Sequence, residues 1–420
     1  MSEHFDALET RDPELRERAQ SAALPRQIAY ARSASRAFAK ILADVDADAV
    51  TSRAALVRLP VTRKSELLDI QTNDRPFGGF AAGLPKGGWG AGRSALRRVF
   101  ASPGPIYEPE GARPDYWRLA RALFAAGFRP GHLIHNCFSY HFTPAGSMLE
   151  TGAHALGCTV FPGGVGQTEQ QVQAMADLKP DGYVGTPSVL RIILEKADEQ
   201  GVALPSLRRA LVSGEAFLPP LRDALAARGI AGYQVYASAD LGVIAYETAA
   251  RDGLVVDEGV IVEIVRPGTG DAVAPGEVGE VVVTSLFNTD YPLIRFGTGD
   301  LSALLPGLSA CGRTNMRIKG WMGRADQTAK IKGMFVHPSQ VAAIVGRHRE
   351  ITKARLVVAN PDGNDSMVLH VETAGGSTTN ADAIVASIRD VTKLRGDVVF
   401  RAAGELPNDG KVIDDTRKFS

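Results

Sequence analysis

The chain has 420 residues, of which 45% are hydrophobic and 22% are charged. This composition is typical of a folded globular protein with room for two or three domains, and it excludes an intrinsically disordered chain. The 47 basic residues balance the 47 acidic residues, so the formal net charge is zero. The balance argues against a general nucleic-acid binder, because such proteins normally carry a basic excess.

Cysteine content indicates a reduced compartment, and the hydropathy of the chain indicates neither a signal peptide nor a membrane span. Cys137, Cys158 and Cys311 show no Cys-x-x-Cys spacing and are too few for a disulfide framework. The N-terminal sequence is rich in charge and lacks an apolar centre, and no apolar run is long enough to span a membrane. We therefore expect a cytoplasmic protein without a signal peptide, with neither nucleic acid nor a membrane among its partners.

The N-terminal part of the chain is predicted to be helical. Residues 1–55 mix charged side chains with regularly scattered apolar ones, as in amphipathic helices. Thr62 is a candidate N-cap for a short helix whose first turn would hold Ser65 and Glu66. Residues 78–93 are rich in glycine and are predicted to be irregular.

Short apolar strands alternate with helical segments in the middle of the chain, which predicts a largely parallel sheet covered by helices. The candidate strands are residues 97–102, 132–136, 159–161, 182–185, 209–212 and 234–236. After Tyr246 the apolar period becomes two, over residues 260–265 and 277–284. This change predicts an antiparallel, barrel-like section.

From about residue 327 the pattern is that of a small α+β module. It has a hairpin signal near 360–363, a helix that carries Ile384 and Ile388, and a strand candidate at 398–401. The predicted fold class is therefore α/β. A large N-terminal domain of mostly parallel sheet, with helices and a barrel-like antiparallel section, is followed by a small C-terminal α+β domain.

Asp300 is the first candidate site residue. It follows a Thr-Gly turn at the end of a strand-like segment. Its two carboxylate oxygens can accept hydrogen bonds from both hydroxyls of a vicinal diol, such as a ribose. The alternative is that Asp300 only caps the turn, which is a common task of aspartate.

Two basic residues follow Asp300. Arg324 lies in the segment 323–326, where its guanidinium is able to bind a phosphate or a ribose oxygen, although a solvated linker explains the segment equally well. Lys411 follows Gly410 near the C-terminus. It is either an exposed turn residue or a cation that a domain motion brings to a reacting phosphate.

In this order and spacing, the three residues resemble the adenylate-forming superfamily of acyl-CoA synthetases, and more closely its phenylacetate–coenzyme A ligase family. Four further segments are similar to the sequences of that family, namely 59–64, 186–188, 292–295 and 337–340. The likeness runs from about residue 55 to about residue 415. Each motif alone is weak, but the ordered set is specific.

The resemblance implies an ATP-dependent acid–coenzyme A ligase. Such an enzyme converts a small carboxylic acid, with aryl acids among the candidates, to an acyl-AMP with release of pyrophosphate, and coenzyme A then displaces AMP. The implied cofactors are ATP and AMP, Mg²⁺ and coenzyme A, and the implied partners are the acid and coenzyme A. Homodimers are common in the family, so a homodimer is a further expectation. Residues 1–325 would bind the adenylate and acyl groups, and residues 326–420 would form a mobile lid.

The resemblance also assigns residues to the nucleotide. The implied cofactor-binding residues are Ser213, Gly214, Glu215, Ala216, Tyr236, Ala237, Ser238, Asp300, Arg324 and Asp326. Residues 214–216 would pack against adenine, and Tyr236 would stack on it. Asp240 would hold magnesium where the family usually has a glutamate. The alternatives are an aromatic residue at a strand end for Tyr236 and a helix N-terminal charge for Asp240.

The remaining implied roles concern catalysis and the acid. Lys411, Asp240 and Arg324 are the implied catalytic residues. Asp300 would hold the ribose, Asp326 would be the hinge of the lid, and Lys411 would reach the α-phosphate only in the adenylating conformation. The implied substrate-facing residues are Phe138, Tyr140, His141 and Phe142. For these four, burial in the core at a strand-to-helix turn is an alternative.

The chain departs from the family in its phosphate loop, which is usually rich in Ser, Thr and Gly and carries a lysine. Residues 101–111 contain three prolines, which have no N–H to donate, and the acidic residues Glu108 and Glu110. Either the loop grips the phosphates differently or pyrophosphate is held elsewhere. Cys311 is a single thiol, too few for a closed zinc site without other ligands.

Two other functions remain open from the sequence. One is an adenylating enzyme that shares the first step and passes the acyl group to an amine or a carrier protein, because the fold does not settle the acceptor. The proline-containing segment 101–111 instead suggests a nucleotide- or acyl-binding protein without turnover.

Overall fold

The computed structural model describes residues 3–82, 84, 96–102, 105–327, 329–331, 334–359, 365–373, 375, 378, 380–407 and 411–417. It divides into two compact units. The larger unit comprises Met1–Thr298 and Ala303–Trp321, and the smaller comprises Gly299–Ser302 and Met322–Ser420. The predicted hinge near Asp326 stays a prediction.

Helices of the larger unit are placed largely where the sequence predicts them. Over the residues that the structure describes, they are α1 (Pro13–Ala34), α2 (Arg36–Ile41), α3 (Arg53–Leu56), α4 (Lys64–Asn73), α5 (Leu119–Ala125), α6 (Ala145–Leu156), α7 (Thr168–Leu178), α8 (Pro187–Glu199) and α9 (Pro219–Ala227). The Asp12 carboxylate accepts hydrogen bonds from the N–H groups of Glu14 and Leu15, which caps α1. In α8, Leu190, Ile193, Leu194 and Ala197 recur at helical spacing and are buried.

The prediction that Thr62 caps α4 is wrong. Thr62 lies in a short strand that pairs in parallel with Phe296, and its N–H donates to the carbonyl of Arg295 over 3.2 Å. The strand ends at Arg63, so the helix begins at Lys64. The Glu66 carboxylate accepts a hydrogen bond from the Arg63 N–H over 3.2 Å, which satisfies a backbone donor at the helix start.

Strands of the larger unit confirm the predicted change from parallel to antiparallel pairing. They are β1 (Thr62–Arg63), β2 (Leu96–Ser102), β3 (Ile106–Gly111), β4 (Leu133–Asn136), β5 (Thr159–Phe161), β6 (Gly182–Gly185), β7 (Arg209–Val212), β8 (Ala231–Ser238), β9 (Gly242–Glu247), β10 (Leu254–Val256), β11 (Val260–Val265), β12 (Gly279–Ser285), β13 (Phe296–Ser302), β14 (Leu304–Leu305) and β15 (Arg317–Ile318). The last residues of β13, Gly299–Ser302, belong to the smaller unit.

One mixed sheet has the strand order β14-β15-β10-β9-β8-β7-β6-β4-β5. Strands β5, β4, β6, β7 and β8 run parallel, with Tyr183 opposite Ala210 and Leu211 opposite Tyr233. Strand β8 then pairs antiparallel with β9. The carboxyl ends of the parallel strands therefore lie along one edge, where ligands bind in open α/β sheets.

A second sheet of the larger unit has the order β1-β13-β12-β11. Strands β11 and β12 pair antiparallel, with Val262 opposite Val283. Both strands are almost entirely buried. Strands β2 and β3 form a separate antiparallel hairpin. Pro103 and Gly104, between these two strands, and much of the glycine-rich segment 78–93 lie outside the described residues.

The smaller unit is an α+β module, as predicted. Its described elements are β16 (Ala329–Ile331), β17 (Met334–Val336), α10 (Pro338–Gly346), β18 (Ile351–Ala359), β19 (Ser366–Thr373), α11 (Ala381–Thr392), β20 (Asp397–Arg401) and β21 (Ile413–Asp415). The main sheet has the order β20-β19-β18-β21. Ile384 and Ile388 of α11 are buried in one core with Leu369 and Val371 of β19. The predicted turn at 360–363 lies outside the described residues, although β18 and β19 on either side pair antiparallel.

No helix in the described part of either unit has both the length and the apolar content needed to cross a bilayer.

Arg295 precedes β13 and joins the second sheet to residues 57–59. Only 1% of this arginine is exposed. Its guanidinium donates to both carboxylate oxygens of Glu263, over 3.0 and 3.1 Å, and to the carbonyls of Val57, over 2.7 Å, and Gly270, over 2.9 Å. A further bond reaches the carbonyl of Leu59. Arg295 therefore ties residues 57–59, between α3 and β1, to Glu263 of β11.

We expect the substitution Arg295→Met to destabilise the larger unit by about 3–5 kcal/mol, because it leaves the buried Glu263 carboxylate without its counter-charge. The matched control is Arg191→Met on α8, where the Arg191 and Glu195 side chains are 51% and 53% exposed. Loss of that exposed pair costs about 1 kcal/mol or less. Urea unfolding followed by circular dichroism measures both. Similar shifts in the two variants would contradict the role given to Arg295.

Candidate functional site

Asp300 and Arg324 are brought together by the fold of the smaller unit. The Arg324 guanidinium donates to Asp300 Oδ1 over 3.2 Å, and the two backbones form an isolated bridge. Gly299 precedes Asp300 with φ of +74°, and a side chain there would come within 2.8 Å of Arg324 Nη2. The glycine in the Thr-Gly turn is therefore required for this contact. Both side chains remain partly exposed, at 17% for Asp300 and 34% for Arg324.

Lys411 and Asp326 lie in the same unit. Lys411 Nζ is 3.4 Å from Asp414 Oδ1, and 54% of the lysine side chain is exposed. The following residue, Val412, donates its N–H to Gln327 Oε1 over 2.7 Å. Asp326 lies in a short 3-10 helix, Ala325–Gln327, and its side chain is outside the described residues. Residues 408–410, which precede Lys411, are also outside the described residues.

The residues predicted to pack against adenine follow strand β7 of the larger unit. Ser213 Oγ donates to the carbonyl of Val235 over 2.7 Å, which fixes the segment to β8. Gly214 has φ of +81°, and Gly214, Glu215 and Ala216 are exposed. The Glu215 carboxylate accepts a hydrogen bond of 2.8 Å from Ser188 Oγ. Segments 186–188 and 213–216 therefore meet, although they are far apart in sequence.

A cleft of about 500 Å³ opens beside Glu215 and Ala216, between helices α8 and α9. Its other lining residues are mostly apolar and include Pro187, Leu194 and Leu221. An apolar cleft with a few polar groups at its rim is a common form of ligand site. The cleft is large enough to admit a planar ring beside the predicted adenine-binding segment.

Tyr236 and Asp240 lie at the end of β8 and in the turn that follows. The Tyr236 side chain is largely buried in a core cluster, and its hydroxyl is 3.2 Å from Thr298 Oγ1. Ala237 and Ser238 complete the strand, and Ser238 Oγ accepts a hydrogen bond from the Leu241 N–H over 3.2 Å. These bonds hold the turn so that Asp240 points inward, where only 1% of the residue is exposed.

A buried charge cluster surrounds Asp240, and the sequence did not predict it. Lys64 Nζ, at the start of α4, lies 2.6 Å from Asp240 Oδ2 and 4.0 Å from Glu108 Oε1. The Glu108 side chain is fully buried in β3. Burial, and secondarily the Asp240 carboxylate, raise the pKa of Glu108 well above its usual range. Lys64 lies in segment 59–64, which is similar to the family, but its position beside two carboxylates depends on tertiary structure.

Asp240 and Glu108 have carboxylate oxygens that could serve as ligands of a magnesium ion. Among the residues that the structure describes, Asp240 Oδ1 and Glu108 Oε1 are buried and accept no hydrogen bond. Within the same residues no group of three or more His, Cys, Asp or Glu side chains could enclose a metal. One or two carboxylates, completed by phosphate oxygens and water, are the usual surroundings of Mg²⁺. The residues present therefore fit the ion.

The described part of segment 101–111 comprises the end of β2 and the whole of β3, which pair antiparallel. Glu110 is turned to Arg98, whose Nη1 donates to Glu110 Oε1 over 2.9 Å. Glu108 accepts a hydrogen bond of 3.1 Å from the Ser102 N–H. Both carboxylates thus have partners inside the protein.

The predicted acyl-binding residues occupy different environments. Phe138 is buried in a core cluster with Met148 and Leu149, which favours the structural alternative for this residue. The Tyr140 hydroxyl lies between Asn136 Nδ2 and Glu150 Oε2, each 2.8 Å away. His141 and Phe142 are exposed, with Phe142 at 80%. The roles assigned to all four stay predictions.

The AMP-binding enzyme family matches residues 118–289. A phenylacetate-coenzyme A ligase of Thermus thermophilus is 32% identical over 384 residues, which cover 87% of this chain and 83% of the relative. One of Escherichia coli is 31% identical over 340 residues, 77% of this chain and 74% of the relative. Among solved structures, an open conformation of 2-hydroxyisobutyryl-CoA ligase, in complex with 2-HIB-AMP and CoA, matches with a TM-score of 0.83 at 23% identity, over 99% of this chain and 95% of that chain. An amide bond synthetase of Marinactinospora thermotolerans matches with a TM-score of 0.55 at 18% identity, over 76% of this chain and 68% of that chain.

We expect Asp300→Asn to weaken ATP binding by about 10- to 100-fold, because the amide replaces a charged acceptor with a neutral one that offers a single oxygen. The control is Asp390→Asn, which breaks an exposed pair with Arg347 in the same unit and should leave ATP binding unchanged. Calorimetric titration measures both affinities. A large fall in melting temperature with unchanged ATP affinity would favour the turn-capping alternative for Asp300.

Proposed function

Because the chain belongs to the phenylacetate–coenzyme A ligase family of adenylate-forming enzymes, we propose that it joins a small carboxylic acid to coenzyme A with ATP. The identity of 32% to the Thermus thermophilus relative, over 87% of this chain, carries the proposal. A carboxylate is a poor electrophile, so its oxygen first attacks the α-phosphorus of ATP and pyrophosphate leaves. The thiol of coenzyme A then attacks the acyl carbon of the acyl-AMP, and AMP leaves with the electron pair of the broken bond.

Asp300 and Arg324 would bind the nucleoside end of ATP. The carboxylate of Asp300 would accept hydrogen bonds from the ribose hydroxyls, and Arg324, 3.2 Å from Asp300 Oδ1, would bind the ribose or a phosphate oxygen. In the larger unit, residues 213–216 and Tyr236 would bind adenine. The cleft beside Glu215 and Ala216 supports this placement of the base.

The protein must also hold two anions, the acid and the triphosphate, close together. Mg²⁺, when bound, neutralises charge on the phosphates, and Asp240 would hold it. Lys411 would donate to the α-phosphate and the acid carboxylate during the first step. Asp326 would act as the hinge that carries Lys411 to and from the nucleotide.

The acid, the location and the assembly belong to the proposal as well. Tyr140, His141 and Phe142 would contact a compact acid, and aryl acids are tested first because the relatives are named for phenylacetate. We place the reaction in the cytoplasm, with ATP and coenzyme A as partners and neither nucleic acid nor membrane. The enzyme would work as a homodimer.

Two assays on the wild-type protein test this function. We expect labelled pyrophosphate to exchange into ATP only when a suitable acid is present, which reports the adenylation step. We expect AMP release to depend further on coenzyme A. Exchange without that dependence would favour an amine or carrier protein as the acceptor. No exchange with a broad panel of aryl and short acyl acids would favour a binding protein without turnover.

We expect Lys411→Ala to lower the exchange rate by about 10²- to 10³-fold, the usual effect of removing one donor that stabilises transition-state charge. The same variant should convert a supplied acyl-adenylate to the thioester at the wild-type rate, because Lys411 serves only the first step. Lys393→Ala is the control, since Lys393 is 71% exposed in the same unit. Equal losses in both half-reactions would refute this role for Lys411.

A further inference from the structure

Three backbone donors in the described part of segment 101–111 are already used within the protein. The Ser102 N–H donates to Glu108 Oε2 over 3.1 Å, and the Ala101 N–H donates to the carbonyl of Phe142 over 2.8 Å. The Tyr107 N–H donates to Gln71 Oε1 over 2.8 Å. In this hairpin the carboxylate of Glu108 therefore occupies an amide that a phosphate loop would offer to its anion. The segment also contains no lysine.

Lys64 supplies a positive charge at the same place from another part of the chain. Its ammonium group lies beside Glu108 and Asp240, and 21% of its side chain is exposed, so it borders both the buried carboxylates and solvent. Strand β1 ends one residue earlier, and α4 begins at Lys64 itself. The backbone of this lysine is therefore held by a strand on one side and a helix on the other.

We propose that Lys64 is a phosphate-binding residue of the adenylation step, positioned by Glu108, and that it replaces the missing lysine of the phosphate loop. The proposal rests on the function proposed above. Lys64 Nζ lies 2.6 Å from Asp240 Oδ2, so a magnesium ion held by Asp240 would repel this ammonium group. The group would then turn to the anionic oxygens of the triphosphate, and Glu108 would keep it at the site.

The role of Lys64 is electrostatic, and no proton moves. The acid oxygen forms a bond to the α-phosphorus, and the bond between that phosphorus and the bridging oxygen breaks. The electron pair leaves with pyrophosphate, where negative charge develops. A fixed ammonium group next to that charge lowers the barrier, because it is already in place when the charge appears.

The test measures binding of inorganic pyrophosphate by calorimetry in the presence of a chelator, so that no metal and no turnover are involved. We expect Asp240→Asn to bind pyrophosphate more tightly than the wild type, because Lys64 is released from its carboxylate. The double variant Asp240→Asn with Lys64→Met should bind pyrophosphate at least about 10-fold more weakly than Asp240→Asn alone, which is the usual contribution of a hydrogen bond to a charged group. It removes both charges of the pair, so it leaves no buried carboxylate at position 240 without a counter-ion.

Lys40→Met, at the exposed end of α2, is the matched control and should not change pyrophosphate binding. Equal pyrophosphate affinity of Asp240→Asn and the double variant would overturn the proposal and leave Lys64 a structural ion-pair partner.

In the exchange assay, Lys64→Met should slow adenylation and spare thioester formation, and Lys64→Arg should restore part of the rate. Equal losses in both half-reactions would likewise contradict a phosphate-binding role.

The test of Lys64 can fail without contradicting the proposed ligase function, and the reverse is also true. Absence of pyrophosphate–ATP exchange in the wild type would count against the ligase, whereas the calorimetric comparison bears only on Lys64.

The variant Glu108→Gln tests the positioning role of Glu108 in the same calorimetric assay. If Glu108 positions Lys64 and does not itself bind the anion, this variant keeps measurable pyrophosphate binding in the chelator, and complete loss of binding would contradict the positioning role.

Discussion

The buried guanidinium of Arg295 fixes the segment from which Lys64 extends. It binds the carbonyls of Val57 and Leu59 on one side and the Glu263 carboxylate on the other. The carbonyl of Arg295 also accepts a hydrogen bond from the Thr62 N–H, two residues before Lys64. The position of the lysine therefore depends on a network around the sheet β1-β13-β12-β11. Without it, residues 57–63 would lose the partners that hold α4 against the site.

The cluster of Lys64, Glu108 and Asp240 is costly to bury. Two carboxylates with almost no exposure share one ammonium group, and desolvation of such charges commonly exceeds the attraction between them. Apolar residues of similar size would often be as stable. The arrangement is easier to understand if the charges serve a ligand, because both the oxygens that fit Mg²⁺ and the ammonium group that fits phosphate are then prepared before ATP arrives.

Local patterns predicted most of the fold. The alternation of strand and helix between β4 and β8, the change to antiparallel pairing after it, and the α+β module of the smaller unit are visible as apolar periods of 3.6 and 2. The prediction failed where a long-range contact competed with a local preference. Thr62 is a good helix cap in isolation, but pairing with β13 draws it into a strand. The family resemblance places a phosphate loop at 101–111, yet in the described part of that segment β2 and β3 pair and Glu108 is buried.

The sequence by itself determined the class of fold, because composition and apolar period are local properties. It also made Asp300, Arg324 and Lys411 candidates, because their order resembles the motifs of a known family. The contact between Asp300 and Arg324 and the burial of Asp240 were decided by tertiary structure. The same holds for Lys64 and Glu108, which are 44 residues apart in number yet share one site. Ion pairs of this kind depend on distances across the fold, and no local pattern in a single chain records them.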